Sequence, residues 1–148
     1  MKESARQFLD EAGQDRVVKS IQLAEQRCTA EIRVHLENEC ASDALKRASE
    51  VFVRLGMHKT AARNGVLIYV AVKSHKMAVF ADEGIHKIAG ELFWQQEVDI
   101  MKRHFAKGDY AAGLSLAVEE AGKLLARFYP SANTANPDEL SNDISFES

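Results

Sequence analysis

Asp82, Glu83 and Asn64 are the residues of this chain best suited to hold a metal ion. Two carboxylates and a neutral amide oxygen make a hard-oxygen donor set of the kind that Ca2+ or Mg2+ takes. Asp82 also has a structural reading, because it stands where a strand gives way to a helix and can cap that helix. The two roles are compatible, since a carboxylate has two oxygens. For Asn64-Gly65 the structural reading is a turn with a permissive backbone, and Glu31 reads as an ion-pair partner of Arg33 or Arg63. The five histidines, His35, His58, His75, His86 and His104, show no metal-ligand spacing, although His86 falls close to Glu83. The chain has no C-x-x-C, no H-E-x-x-H, no Gly-rich phosphate loop and no G-x-S-x-G. A zinc site, an organic cofactor and a nucleophile-base pair therefore lack sequence support, and no catalytic residue is assigned.

These residues must be positioned by alternating helices and strands. A first helix is expected from about Glu3 to Gln26, with Gly13 as a possible break. Strict alternation from Thr29 to Leu36 predicts a strand with Ala30, Ile32, Val34 and Leu36 on one face and Glu31, Arg33 and His35 on the other. A second helix from about Ser42 to Leu55 has Ser42 and Asp43 as cap candidates and Gly56 to end it. The run Val66–Val72 is apolar on both faces and rich in β-branched residues, as in a central strand. Lys73-Ser74-His75-Lys76 is of hairpin length, so Met77 to Ala81 returns antiparallel. Helical segments follow over about Ile85 to Phe105 and Asp109 to Tyr129, with Gly108 as the break, Asp109 as the cap and Trp94 as core.

The first two strands and the helix between them form a βαβ unit, which makes them parallel. Adding the hairpin gives a small mixed β-sheet with helices on both faces, so the fold class is α/β, a three-layer α/β/α sandwich. Two poles result. One gathers Thr29, Glu31, Arg63, Asn64, Asp82, Glu83 and His86. The other gathers Glu37, Asn38 and Glu39 with the hairpin residues Lys73, Ser74 and His75, at the carboxyl ends of the parallel strands, where open α/β sheets usually bind ligands.

The net charge of -3 is unevenly spread. From Pro130 onward Asp138, Glu139, Asp143 and Glu147 give -4, which leaves 19 basic and 18 acidic residues, or +1, for the rest. A near-neutral body gives no electrostatic reason to expect nucleic acid. Residues 1–130 are expected to form one α/β domain and residues 131–148 a disordered acidic tail, in which Leu140, Ile144 and Phe146 are the only candidates for a short docking motif. Cys28 and Cys40 flank the first strand, about 30 Å apart if extended, whereas a disulfide needs Cα atoms about 4.4–6.8 Å apart. Two reduced thiols, a polar opening stretch without a signal and no apolar run longer than Val66–Val72 point to a cytoplasmic protein without membrane insertion.

The segments Arg63-Asn64-Gly65-Val66-Leu67-Ile68, Ala81-Asp82-Glu83-Gly84-Ile85 and Phe105-Ala106-Lys107-Gly108-Asp109-Tyr110-Ala111-Ala112-Gly113-Leu114 resemble, in order, the motifs of the TPM domain family. Ala30-Glu31-Ile32-Arg33-Val34 resembles that family's first strand. The likeness runs from about Ile21 to Pro130 and implies the same α/β/α fold. Members of this family have been linked to acid phosphatase activity, divalent-cation binding, photosystem repair and receptor association, and most carry an export signal and a transmembrane helix, neither of which is expected here. The lack of a nucleophile-base arrangement favours a soluble interaction or divalent-cation-binding module acting on a protein partner, and the resemblance allows, as the alternative, a metal-assisted acid-phosphatase-like hydrolase. The resemblance also favours the pole that holds Asn64, Asp82 and Glu83.

Overall fold

The computed structural model describes residues 4–131 and 143–147. Its elements are a short 3-10 turn at Ala5–Gln7, α1 (Glu11–Gln26), β1 (Ile32–Glu37), α2 (Ala44–Arg54), β2 (Val66–Ala71), β3 (Lys76–Ala81), α3 (Glu83–Ala89), α4 (Glu91–Ala106), α5 (Tyr110–Phe128) and β4 (Ser145–Glu147). The sheet order is β3-β2-β1-β4. β1 and β2 are parallel from Ile32 opposite Val66 to Glu37 opposite Ala71, and β3 returns antiparallel along β2. The expected mixed sheet is therefore present, with one addition.

That addition is β4, which pairs parallel with β1 so that His35, Leu36 and Glu37 face Ser145, Phe146 and Glu147. Over 143–147 the segment expected to be a disordered tail thus joins the sheet, while Leu140 lies outside the described residues. The reason lies in its side chains. Ile144 is buried in the main core and Phe146 packs against it, and three backbone pairings add directional bonds.

The sheet separates two apolar layers. Ile32, Val34, Leu36, Val66, Ile68 and Val70 face α1, α4 and α5, whereas Leu67, Tyr69 and Ala71 face Phe52, Val51 and Ala48 of α2. Every residue of β2 is buried, which accounts for its unbroken apolar sequence. Burying a Val17, Ile21, Leu114 or Leu125 side chain contributes about 1.5–3 kcal/mol each, and all four are fully enclosed. α1 and α5 approach closely where a Cβ on Gly122 would lie 2.7 Å from the Ala24 Cβ.

Caps set the helix boundaries. The helix expected from about Glu3 begins only at Glu11, where the Asp10 side chain accepts from Gly13 N, and it is not broken at Gly13. Gly13 therefore lies inside the first turn. Asp43 caps α2 through Lys46 N, and Gly56 follows with a left-handed φ of 76°. Gly90, with φ of 80°, divides the helical stretch after β3 into α3 and α4. Asp109 holds the N-cap position of α5 without a side-chain bond. No helix among the described residues is long and apolar enough to cross a membrane.

One buried carboxyl sits apart from the sheet. Glu97 of α4 is 1% exposed, and neither of its oxygens has a hydrogen-bond partner among the described residues. Burial, aided by the negative charge of Glu120, raises this carboxyl to about 8. The folded protein therefore keeps a proton that the unfolded chain releases near pH 4.5, so this group makes stability fall as pH rises from about 4.5 to 8. Chemical denaturation of the wild type should show a loss on the order of 5 kcal/mol across that window. Glu97→Gln should flatten the slope, and an unchanged slope would contradict the assignment.

Candidate functional site

The turn that enters β2 meets the turn that leaves β3. Asp82 N donates to the Gly65 carbonyl at 2.9 Å and Gly84 N donates to the Arg63 carbonyl at 3.0 Å. The approach is so close that a Cβ on Gly84 would lie 2.6 Å from the Arg63 oxygen and 2.7 Å from the Ala62 oxygen. Arg63 adopts a left-handed φ of 51°, unusual outside glycine. Backbone contact thus brings Asn64, Asp82 and Glu83 to one corner, although Asn64 lies eighteen residues before Asp82.

At this corner the capping role of Asp82 is realised. Its Oδ1 accepts from Glu83 N at 2.8 Å, at the start of α3. The same carboxylate accepts from Arg63, with Nε 2.9 Å from Oδ2 and Nη2 3.2 Å from Oδ1. Glu83 Oε1 lies 3.9 Å from Arg63 Nη1, so both carboxylates converge on one guanidinium. The Arg63 side chain is 49% exposed, and it pairs with Asp82 and Glu83 where the sequence suggested Glu31. Asn64 is 1% exposed, and neither Oδ1 nor Nδ2 has a partner among the described residues. A buried amide left this way costs about 1–3 kcal/mol, so the corner holds an unmet demand for a polar ligand.

A cleft of about 810 Å3 opens beside the corner. It follows the outer edge of β3 between the start of α2 and helices α3 and α4, and its walls include Arg63, Asp82, Glu83, His86 and Lys102. Trp94 also lines it, as a nearly buried side chain whose Nε1–H has no acceptor among the described residues.

The opposite pole is built differently. β1 extends through Glu37, which therefore lies on the strand's polar face and is covered by α2. Arg47 of α2 donates to both Glu37 oxygens at 2.9 Å, Tyr69 of β2 donates its hydroxyl to Oε2, and His35 Nε2 lies 3.1 Å from Oε1. Burial alone would raise the Glu37 carboxyl, but hydrogen bonds from Arg47, Tyr69 and His35 and the charge of Arg47 outweigh it and hold the group at about 2. Burial lowers His35 below the usual imidazole value against the opposing pull of Glu37. Burial and the bond to Glu37 raise the Tyr69 hydroxyl. Arg47 and Arg54 also bind Glu147, and Ser145 Oγ lies 3.0 Å from His35 Nδ1.

His35, Glu37 and Glu147 bring ligand atoms within 4.8 Å of one another. Two arginines already neutralise the two carboxylates, so a dication there would meet no net negative charge. The chain Ser145–His35–Glu37 has the order of nucleophile, base and orienting carboxylate. Yet Glu37 is committed to Arg47 and Tyr69, and the cleft of about 530 Å3 beside β4 is walled by Asp143, Ile144 and Phe146 rather than by Ser145. Asn38 and Ser74 at this pole are likewise occupied, as is Lys76 beside them, whereas Glu39 and Lys73 are exposed. Asn38 Oδ1 accepts from Ala5 N, Ser74 Oγ accepts from Cys40 N, and Lys76 reaches the Cys40 and Ser42 carbonyls.

The sequence missed this network. Its one local signal is the recurrence of Glu31, Arg33, His35 and Glu37 at every second position, which would have marked a charged face needing partners. Glu37 contributes stability that is present above the ordinary carboxyl value of 4.5 and is lost as pH falls toward about 2. Glu37→Gln should destabilise the fold by about 3 kcal/mol at pH 7 and reduce the slope of stability between pH 4.5 and 2. Denaturation curves across that range check both, and a variant as stable as the wild type would contradict the network's role.

With this geometry in view, the chain was compared with known proteins. The family model described as the TPM domain matches residues 4–124. Among solved structures, the NMR structure of the BA42 protein from the psychrophilic bacterium Bizionia argentinensis is 35% identical, with a TM-score of 0.86 over 99% of this chain and 98% of that one. Comparison with curated proteins gave no match. The match across most of the chain, and the shared structure along nearly its whole length, establish that this protein belongs to the TPM domain family.

Proposed function

We propose that this chain is a divalent-cation-binding interaction module, with Ca2+ or Mg2+ held at the corner formed by Asn64, Asp82 and Glu83. One observation carries the reading: Asp82 and Glu83 converge on a single half-exposed guanidinium, beside a buried Asn64 amide that has no partner among the described residues. Arg63 marks the position where positive charge is stabilised, and its exposure lets it yield to an ion. Carboxylate and amide oxygens suit a hard cation, and neither cysteine stands nearby in sequence to favour a softer one. Asp82 can retain the α3 cap while its second oxygen turns to the ion. On this reading the ligand is a cation and the partner a protein, at a cytoplasmic location. The near-neutral body supports a role without nucleic acid.

A second reading rests on the cleft. Arg63 and Lys102 on its walls beside Asp82 provide positive charge, His86 adds a hydrogen-bonding imidazole, and the cleft has room for a phosphate ester, as a metal-assisted phosphatase-like hydrolase would need. The cation would orient water and neutralise phosphate charge, and Asp82 and Glu83 would hold it. Turnover of a generic aryl phosphate that persists through purification and disappears in Asp82→Asn supports this reading, and turnover unchanged by that substitution removes it.

The primary reading is tested by titrating Ca2+ and Mg2+ into the labelled protein and following its amide signals. Shifts should be confined to residues 62–66 and 82–86, and Asp82→Asn and Glu83→Gln should each weaken binding about tenfold, or about 1.4 kcal/mol. Signals that stay still at millimolar cation, or shifts that both variants retain at full affinity, would contradict it.

A further inference from the structure

The edge of β1 is built as a docking groove for an extended strand. Its occupant here is the segment Asp143–Glu147, whose side chains divide between two walls. Ile144 and Phe146 enter the apolar layer, and the Arg6 guanidinium lies 5.0 Å from the Phe146 ring centroid. Ser145 and Glu147 turn to the α2 side, where they meet His35, Arg47 and Arg54. Backbone pairing along β1 supplies affinity, and alternate side chains supply selectivity, as in strand addition by extended peptides.

Charge identifies the class of ligand. Without Glu147, the single negative charge of Glu37 faces the two positive charges of Arg47 and Arg54. The groove is then short of one carboxylate, and that carboxylate must stand one residue beyond an aromatic side chain on the opposite face. The length of the connection allows the segment to act as a tethered ligand. Ser131 N donates to the Arg27 carbonyl, close to the start of β1, and eleven residues separate Ser131 from Asp143. That contour reaches about 40 Å, whereas the path along β1 from Arg27 to the level of Arg33 needs only about 20 Å. Such a tether holds the segment at roughly millimolar effective concentration.

We propose that the β1 edge, with His35, Arg47 and Arg54, is a peptide-docking site for an extended partner segment of alternating apolar and acidic or hydroxyl residues, and that Asp143–Glu147 is its tethered occupant. A partner segment with the pattern Ile-Ser-Phe-Glu binds by displacing it. The site lies at the opposite pole from Asn64, Asp82 and Glu83 and does not depend on cation binding there.

The test uses the full chain and a capped Asn-Asp-Ile-Ser-Phe-Glu-Ser peptide. In a variant combining Ile144→Asp and Phe146→Asp, amide signals of His35, Leu36 and Glu37 should leave their wild-type positions. Added peptide should restore them saturably. The same peptide with its Glu replaced by Gln should bind about tenfold more weakly, and the wild type should need far more peptide than the variant. Should the double variant lose its dispersed spectrum, Glu147→Lys supplies the same test from a partly exposed position outside the apolar layer. Failure of the peptide to restore the signals at several millimolar in a folded variant would overturn the proposal, as would equal binding of the Gln peptide. Peptide that binds wild type and variant alike would overturn the tether.

Discussion

The carboxylate of Glu37 is the constraint around which one half of the molecule is arranged. A charge on the interior face of a sheet is stable only when every lone pair that burial removes from water finds a donor. Here the donors come from β1, β2 and α2, and Arg47 carries the connection onward to Glu147 in β4. The position of α2, the rotamer of Tyr69 and the seating of the last strand all answer to this one group. The other face of the sheet needs no such arrangement. Ile32, Val34, Leu36 and their β2 neighbours pack chiefly against apolar side chains there by ordinary close packing, with the buried Glu25 carboxylate of α1 accepting from Ile32 N at 2.7 Å.

The two poles therefore differ in kind. Around Glu37 the donors and acceptors are matched and the charges cancel, which is the condition of a structural clasp. The corner at Asp82 is left incomplete, with a left-handed Arg63, a half-exposed counter-ion and a buried amide that no group among the described residues satisfies. Strain and unmet polarity persist where the surrounding structure forces them, and they concentrate at places that bind something. The usual preference of open sheets for the carboxyl ends of parallel strands is not a strong guide here, because in this chain those ends are closed by Arg47, Glu147 and the hairpin bonds to Cys40.

Much of the fold was legible because its signals are local. The apolar run at Val66–Val72, the hairpin-length turn after it and the cap at Asp43 each stand within a few residues of what they specify. The corner was legible for a related reason: Asn64-Gly65 and Asp82-Glu83-Gly84 are turn-forming sequences at the ends of adjacent antiparallel strands, so the sheet itself must bring them together. What was hidden is non-local. Glu37 reads as the first residue of a loop until the strand is seen to continue through it. Nothing near Glu147 announces that its partners are Arg47 and Arg54, about a hundred residues earlier. The acidic composition of that segment suggested solvent, yet its apolar side chains alternate in a way that fits a sheet edge. Glu97 was obscured by its neighbours, since a carboxyl on the buried stripe of an otherwise amphipathic helix breaks the pattern that defines the stripe.

The central claim is that the incomplete corner, and not the matched network, receives the cation. Paramagnetic broadening by dilute Mn2+, mapped over the amide signals of the full chain, tests this most directly because it falls steeply with distance from the ion. The account predicts broadening centred on Asn64, Asp82 and Glu83 that excess Mg2+ or Ca2+ reverses. Broadening centred on His35, Glu37 and Glu147, or spread evenly over the acidic surface, would contradict it.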